Sequence, residues 1–292
     1  MTALATPTQP GRSRRPFRPW RILLYLAVIG GALVYAMPFV WMLSTSVKPQ
    51  AEIFLIPPRW LPSVWQWENY TRPWDTLPML TFYKNTVIVT VLNIVGTLAS
   101  SSIVAFAFAR MRFRGRGVLF LIILATMMLP RQVTLIPLYL FWSKLGLLNT
   151  FGPLVIPAFF AQSFYGSFSI FLLRQYMLSI PLEMDEAARI DGASWFQLYW
   201  RVILPLSAPA LGVVAIYNFT AHWNDFLEPL IYLNRPNMFT LPLGLGLLNG
   251  RYGGEMQQIM AQTALSIVPV LLVFFLAQRN YVQGVVVSGV KG

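Results

Sequence analysis

Long uncharged, apolar stretches alternate with short clusters of charge along this chain. Arg21 to Lys48 encloses 26 residues without a charge, Lys84 to Arg110 encloses 25, and Lys144 to Arg174 encloses 29. Arg201 to Asp225 and Glu255 to Arg279 enclose 23 each. Every one of these exceeds the roughly 20 apolar residues that a helix needs to cross the hydrocarbon core of a bilayer. A shorter run, "GVLFLIILATMMLP" from Gly117 to Pro130, meets Arg131 after 14 residues. It crosses if Arg116 reaches the headgroups and the helix continues through Gln132–Leu138. The pattern predicts an all-α integral membrane protein with six transmembrane helices.

An even number of crossings puts both termini on one side. That side holds Arg12, Arg14, Arg15, Arg18 and Arg21, the cluster "RMRFRGR" (Arg110–Arg116), then Arg174, Arg189, Arg201, Arg279 and Lys291. Fourteen of the 22 Lys and Arg residues fall there and eight on the other side, which has the longer loops. The positive-inside rule therefore places both termini in the cytoplasm. The chain then divides into a basic cytoplasmic tail over 1–20, a first transmembrane helix over 21–48 and an external loop over 49–81. A core follows over 82–280, with five more helices and a cytoplasmic loop at 181–205, and a cytoplasmic tail closes the chain over 281–292. The opening "TPTQPGRSRRPFRPW" does not read as a signal peptide, because the apolar run after it is too long and lacks a small-residue cleavage site.

Composition narrows the chemistry. With 56% hydrophobic and 11% charged residues, the main solvent of this chain is lipid. Cysteine is absent, so no disulfide or thiolate site exists, and a single histidine, His222, excludes a clustered histidine metal site. The net charge of +12 is accounted for by its cytoplasmic bias, and nucleic acid is not an expected partner. The external loop carries Trp60, Trp65, Trp67 and Trp74. They suit an interfacial aromatic belt or a docking surface for an external partner.

Four of the ten acidic residues lie within nine consecutive positions of the cytoplasmic stretch "EMDEAARIDGASWFQLYWRVILP", Glu183–Pro205. Pro181 fits a first helical turn, and Glu183, Asp185 and Glu186 place negative charge at the positive end of the helix dipole. Asp185 and Arg189 are spaced i,i+4. Gly192 supplies a C-terminal stop, and Ser194 with Gln197 forms a capping box for a second helix. That helix is expected to run to about Leu204, where Pro205 ends or kinks it. Ala187, Ala188, Gly192 and Ala193 remove side-chain bulk, so another backbone can approach closely. The physics describes a short helical knob built to be gripped.

The fifth span has an apolar face of Ile216, Phe219, Trp223, Phe226 and Leu230. Opposite lie Tyr217, Asn218, Ala221, His222, Asn224 and Asp225, with Glu228 beyond. Polar groups in a span face a bundle interior or a watery cavity. They line a solute pathway, act as polar glue between helices, or mark a helix end already among the outer headgroups. Ser100, Ser101 and Ser102 in the second span read as close-packing residues.

Glu186-Ala187-Ala188, three residues, Gly192, nine residues and Val202–Pro205 resemble the EAA loop of ATP-binding-cassette importer permeases. "STSVKPQAEIF" (Ser44–Phe54), "NTVIVT" (Asn85–Thr90), "WNDFLEPLIYL" (Trp223–Leu233) and "YVQGVVVSGVKG" (Tyr281–Gly292) are similar to the maltose-permease-like, sugar-importing branch. The resemblance implies a type I importer permease fold in a bacterial or archaeal cell (inner) membrane, with the loop forming coupling helices that dock on a cytoplasmic ATPase. It assigns ATPase coupling to Glu186, Ala187, Ala188, Gly192, Leu204 and Pro205, and ATPase contact to Gly289, Lys291 and Gly292 of the tail. The partners it implies are a second homologous permease subunit, two ATPase subunits and an external solute-binding protein. No cofactor is expected in this chain, with ATP and Mg bound by the partner ATPase. The sequence agrees, lacking a G-x-x-x-x-G-K-[ST] phosphate loop. The expected solute is a sugar or oligosaccharide moved by alternating access. The rivals are a glycerol phosphate ester on the same machinery, or a stand-alone secondary transporter or channel.

Overall fold

Lipid offers no hydrogen bonds, so a crossing segment must satisfy its own backbone, and a helix does so locally. The computed structural model describes residues 19–162, 165–251 and 255–289, and among them every regular element is helical. Along the chain the main elements are α1 (Pro19–Ser46), α2 (Met79–Arg110), α3 (Arg116–Thr126), α4 (Arg131–Lys144), α5 (Gly166–Ser179) and α6 (Glu183–Ile190). They continue as α7 (Trp195–Leu206), α8 (Ala208–Trp223), α9 (Leu227–Tyr232), α10 (Leu241–Arg251) and α11 (Met256–Gly289).

Not every crossing is one unbroken helix. Single helices long and apolar enough to span occupy Ile22–Ser46, Met79–Arg110 and Met256–Leu276. Two bent pairs, α3 with α4 at 96° and α7 with α8 at 74°, have between them the length and apolar content of one further crossing each. The expected passage of the third span straight on through Gln132–Leu138 is therefore corrected. The chain leaves α3 at Thr126, takes Pro130 in an extended conformation, and restarts at Arg131 in a new direction. Arg116 does not reach for headgroups either. Its guanidinium donates to the Met111 and Ala109 carbonyls and so caps the end of α2. The expected fourth span is also split, into short turns at Gly152–Val155 and Ile156–Phe160 and the 14-residue α5. Pro153 and Pro157 open the two turns, and Ala161 takes a left-handed conformation (φ 55°) at their end.

The second bend also departs from expectation. Pro205 does not break the helix; the turn comes at Ser207, whose buried hydroxyl donates to the Ile203 carbonyl at 2.7 Å. Over Leu198–Ile203 the chain is wound as a π-helix. Its bonding has left the i−4 register before Pro205 is reached, so the missing N–H is tolerated.

α2 is the hub, packing against α5, α8 and the 152–160 turns, while α1 lies on α11 and α11 on α8. Polar side chains fix these contacts. Asn93 Nδ2 donates to the Leu154 carbonyl at 3.0 Å, and Ser100 Oγ to that of Ala158 at 2.8 Å. A Cβ on Gly96 would stand 3.0 Å from that of Ala158, so a side chain there would push α2 away from the 156–160 turn. Leaving the Leu154 carbonyl without Asn93 would cost roughly 1–3 kcal/mol. Ser102 meets the Tyr199 hydroxyl at 2.8 Å. Ser100 and Ser102 are thus packing and bonding groups, and Ser101 is buried beside them.

Two apolar cores result, one at each end of α2. The first gathers Phe82, Trp142, Trp223 and Leu241; the second gathers Phe106, Leu173, Tyr199 and Ile203. Residues 47–78 are folded onto the first end. Lys48 is buried, with its ammonium 4.0 Å over the Trp41 ring and donating to the Arg59 carbonyl at 2.6 Å. Glu52 accepts from the Ser63 hydroxyl and backbone N–H, and those bonds hold its carboxyl below the ordinary value.

Candidate functional site

The acidic stretch builds a two-helix knob on the second core. Asp185 turns inward, and its carboxylate lies 3.0 Å from the Arg110 guanidinium at the end of α2. Arg110 also donates to the Ile180 carbonyl at 2.9 Å. Burial lifts the Asp185 carboxyl above its ordinary value, against the pull of Arg110. The expected Asp185–Arg189 pairing gives way to this contact. Arg189 instead lies 4.0 Å over the Trp195 ring, and Trp195 meets Phe106 of α2 edge-on.

Between the helices Gly192 sits at φ +81°, with open space where a Cβ would be. The capping box forms as expected: Gln197 N–H donates to Ser194 Oγ at 3.3 Å, and Ser194 N–H to Gln197 Oε1 at 2.8 Å. Of the six residues singled out here, Ala188 and Leu204 pack on the second core. Glu186, Ala187, Gly192 and Pro205 are exposed. Sequence reasoning missed the apolar surface around them. Ile190 is 87% exposed, Phe196 72% and Trp200 59%, and the Phe196 and Trp200 rings stack at 6.5 Å. Their i,i+4 spacing on a capped helix was the available signal.

A cavity of about 780 Å³ opens toward the other end of the bundle, where α4, α8, α9 and α11 meet. Tyr217, Ala221, Asn224 and Asp225 line it. Asn218 and His222 do not; both are buried, and Asn218 donates to the Val214 carbonyl at 2.9 Å. Positions 217, 221 and 224 share one helical stripe, while 218 and 222 lie about 100° further round, turned into the bundle. Facing the stripe are Arg131 and Glu228, which are ion-paired to each other. A second cavity of about 600 Å³, at the α3–α4 corner, shares Arg131, Leu135, Tyr165 and Glu228 with the first. Arg131, in the sequence an interruption of an apolar run, is thus a wall of both.

Residues 99–287 match the family described as binding-protein-dependent transport system inner membrane component. The chain belongs to this family. The permease is 39% identical to a putative ABC transporter permease protein, ORF2, of Caldicellulosiruptor sp. (strain Rt8B.4), over 92% of this chain and 96% of that one. It is 32% identical to the arabinooligosaccharides transport system permease protein AraQ of Halalkalibacterium halodurans, over 96% and 99%. Among solved structures, a bacterial ABC transporter involved in the import of the acidic polysaccharide alginate superposes with TM-score 0.76 at 27% identity, over 94% of this chain and 99% of that one. The permease is thus a multi-pass transport subunit with the type I importer fold, and not an enzyme. Gly289, of the expected tail contacts, ends α11; Lys291 and Gly292, like the basic tail up to Arg18, lie outside the described residues.

Proposed function

We propose that this permease is one membrane half of an ATP-driven importer of oligosaccharides, in a bacterial or archaeal inner membrane with both termini cytoplasmic. A second homologous permease completes the route, two cytoplasmic ATPase subunits bind ATP and Mg, and an external binding protein delivers the solute. Relatives named for arabinooligosaccharides, diacetylchitobiose and galactooligosaccharides support the solute class. The observation that carries the coupling role is the exposed apolar knob of Ile190, Phe196 and Trp200 beside a tightly turned glycine. A stand-alone channel has no use for it in water, whereas a groove on an ATPase would cover it. Glu186, Ala187 and Gly192 are small or charged points of contact around it, Ala188 and Leu204 seat the knob on the second core, and the 289–292 tail reaches the ATPases. The cavity lined by Tyr217, Ala221, Asn224 and Asp225 is this subunit's side of the solute route.

Co-expressed with its ATPase, tagged permease should retain that subunit through purification. Phe196→Glu should abolish retention while the permease stays in the membrane, because a charge is forced into an apolar contact. Full retention by the variant would remove the coupling role from this loop. Orientation is checked separately in the cysteine-free chain: a cysteine at Arg114 should label from the cytoplasm alone and one at Trp65 from outside alone. Outside labelling at 114 would overturn the topology.

A further inference from the structure

Among the described residues, the charged groups on the walls of the two cavities are Arg131, Glu228 and Asp225. They are unevenly balanced, with one guanidinium to two carboxylates. Arg131 donates to Glu228 Oε1, and Asp225 Oδ1 accepts from the Glu228 backbone N–H at 3.3 Å, which keeps both carboxylates together. The remaining wall mixes apolar groups such as Leu135 and Phe274 with the neutral polar groups of Gln132, Thr220 and Asn224. Between such walls a charge is poorly screened. A guanidinium there, if not neutralised, is a strong carboxylate site, because its fork bonds two oxygens at once. Glu228 already holds that position. A solute carboxylate would have to displace it while approaching Asp225. Sugar hydroxyls face no such conflict, since the amides of Gln132 and Asn224 can donate or accept. The Tyr165 and Tyr217 rings, 5.7 Å apart, offer an apolar face to a sugar ring.

We propose that the Arg131–Glu228 pair makes this wall charge-selective, admitting uncharged saccharides and turning away uronate-bearing ones, with Glu228 deciding the outcome by masking Arg131. This rests on the cavity being part of the solute route. The permease has no cysteine, so Thr220→Cys places one near-isosteric thiol on the cavity wall. In membrane vesicles holding the assembled transporter, its modification is followed on the permease's own band with two thiosulfonates of similar size, one bearing trimethylammonium and one sulfonate. Relative to their rates with a free thiol, the cationic reagent should be favoured about tenfold or more. Adding Glu228→Gln, which leaves one guanidinium to one carboxylate, should remove most of that preference, and adding Arg131→Gln should widen it toward the cation. The second variant keeps the test decisive if the first fails to reach the membrane. Free-thiol ratios in the Thr220→Cys background, or ratios unmoved by the charge variants, would overturn charge selection and leave the route intact. A thiol that neither these reagents nor a small neutral one can reach would overturn the route itself, and charge selection with it.

Discussion

Asp185→Ala will destabilise the permease by about 3–5 kcal/mol, the range found when one partner of a buried ion pair is removed. The Arg110 side chain is 2% exposed and that of Asp185 12%. Truncation leaves the guanidinium buried, donating to the Ile180 carbonyl but without its counter-charge. The pair is not itself a net source of stability. The Asp185 carboxyl is raised by burial, so the folded chain binds this proton more tightly than the unfolded one. The contribution of Asp185 therefore worsens as pH climbs through the native value. What the pair does is fix the knob to the end of α2. Arg110→Met combined with Asp185→Leu should accordingly recover most of the loss, since apolar replacements of similar volume fill such sites without charge. Thermal unfolding in detergent measures both. Unchanged unfolding of Asp185→Ala, or a double variant no better than the single ones, would show the pair to be incidental.

Gly192→Val will lower solute uptake at least tenfold with the protein still in the membrane. At φ +81° a side chain strains the backbone by roughly 1–2 kcal/mol, and a β-branched one fits worst. Nothing in the permease lies within 4 Å of the added Cβ, so the strain can relax only by turning the residue out of the left-handed region. That rotation swings α7 against α6 and pulls Trp195 from under Arg189. Gly192→Asn separates this strain from a clash with the partner, because Asn tolerates the conformation yet still fills the open space. Uptake should fall in the order wild type, Asn, Val, with ATPase retention following it. A valine variant that imports and holds the ATPase like the wild type would reduce the loop to a connector.

What the sequence made legible was mostly local. Ser194 and Gln197 form their capping box because both partners lie within one turn. Gly192 adopts the left-handed turn that ends a helix for the same reason. Asp185 was open to misreading because spacing along α6 offers Arg189, whereas the contact that forms comes from Arg110, far upstream on α2. The route was half legible. A helical wheel groups Tyr217 and Ala221 with Asn218 and His222, and only the packing of α8 in the bundle divides the stripe that lines the cavity from the one it buries. The uncharged run of residues 145–173 contained enough apolar residues for a span, but apolar length says nothing of where Pro153, Pro157 and Ala161 turn the chain. Arg131 looked like a blemish in a hydrophobic run because its counter-charge, Glu228, belongs to a different helix.

The pairing of α1 with α11 joins the first described helix to the last. None of the most apolar window of α1 is buried within the chain, and α11 is its main neighbour. On a ribosome adding about 5–20 residues per second, the roughly 210 residues from Ser46 to Met256 take on the order of 10–40 s to make. Throughout that interval α1 stays in the bilayer with lipid as its only solvent over that window, while α2, α5 and α8 can already assemble around one another. Its high mean hydropathy of 2.1 makes the wait harmless, and the α1–α11 contact forms only after every helix between them has been made.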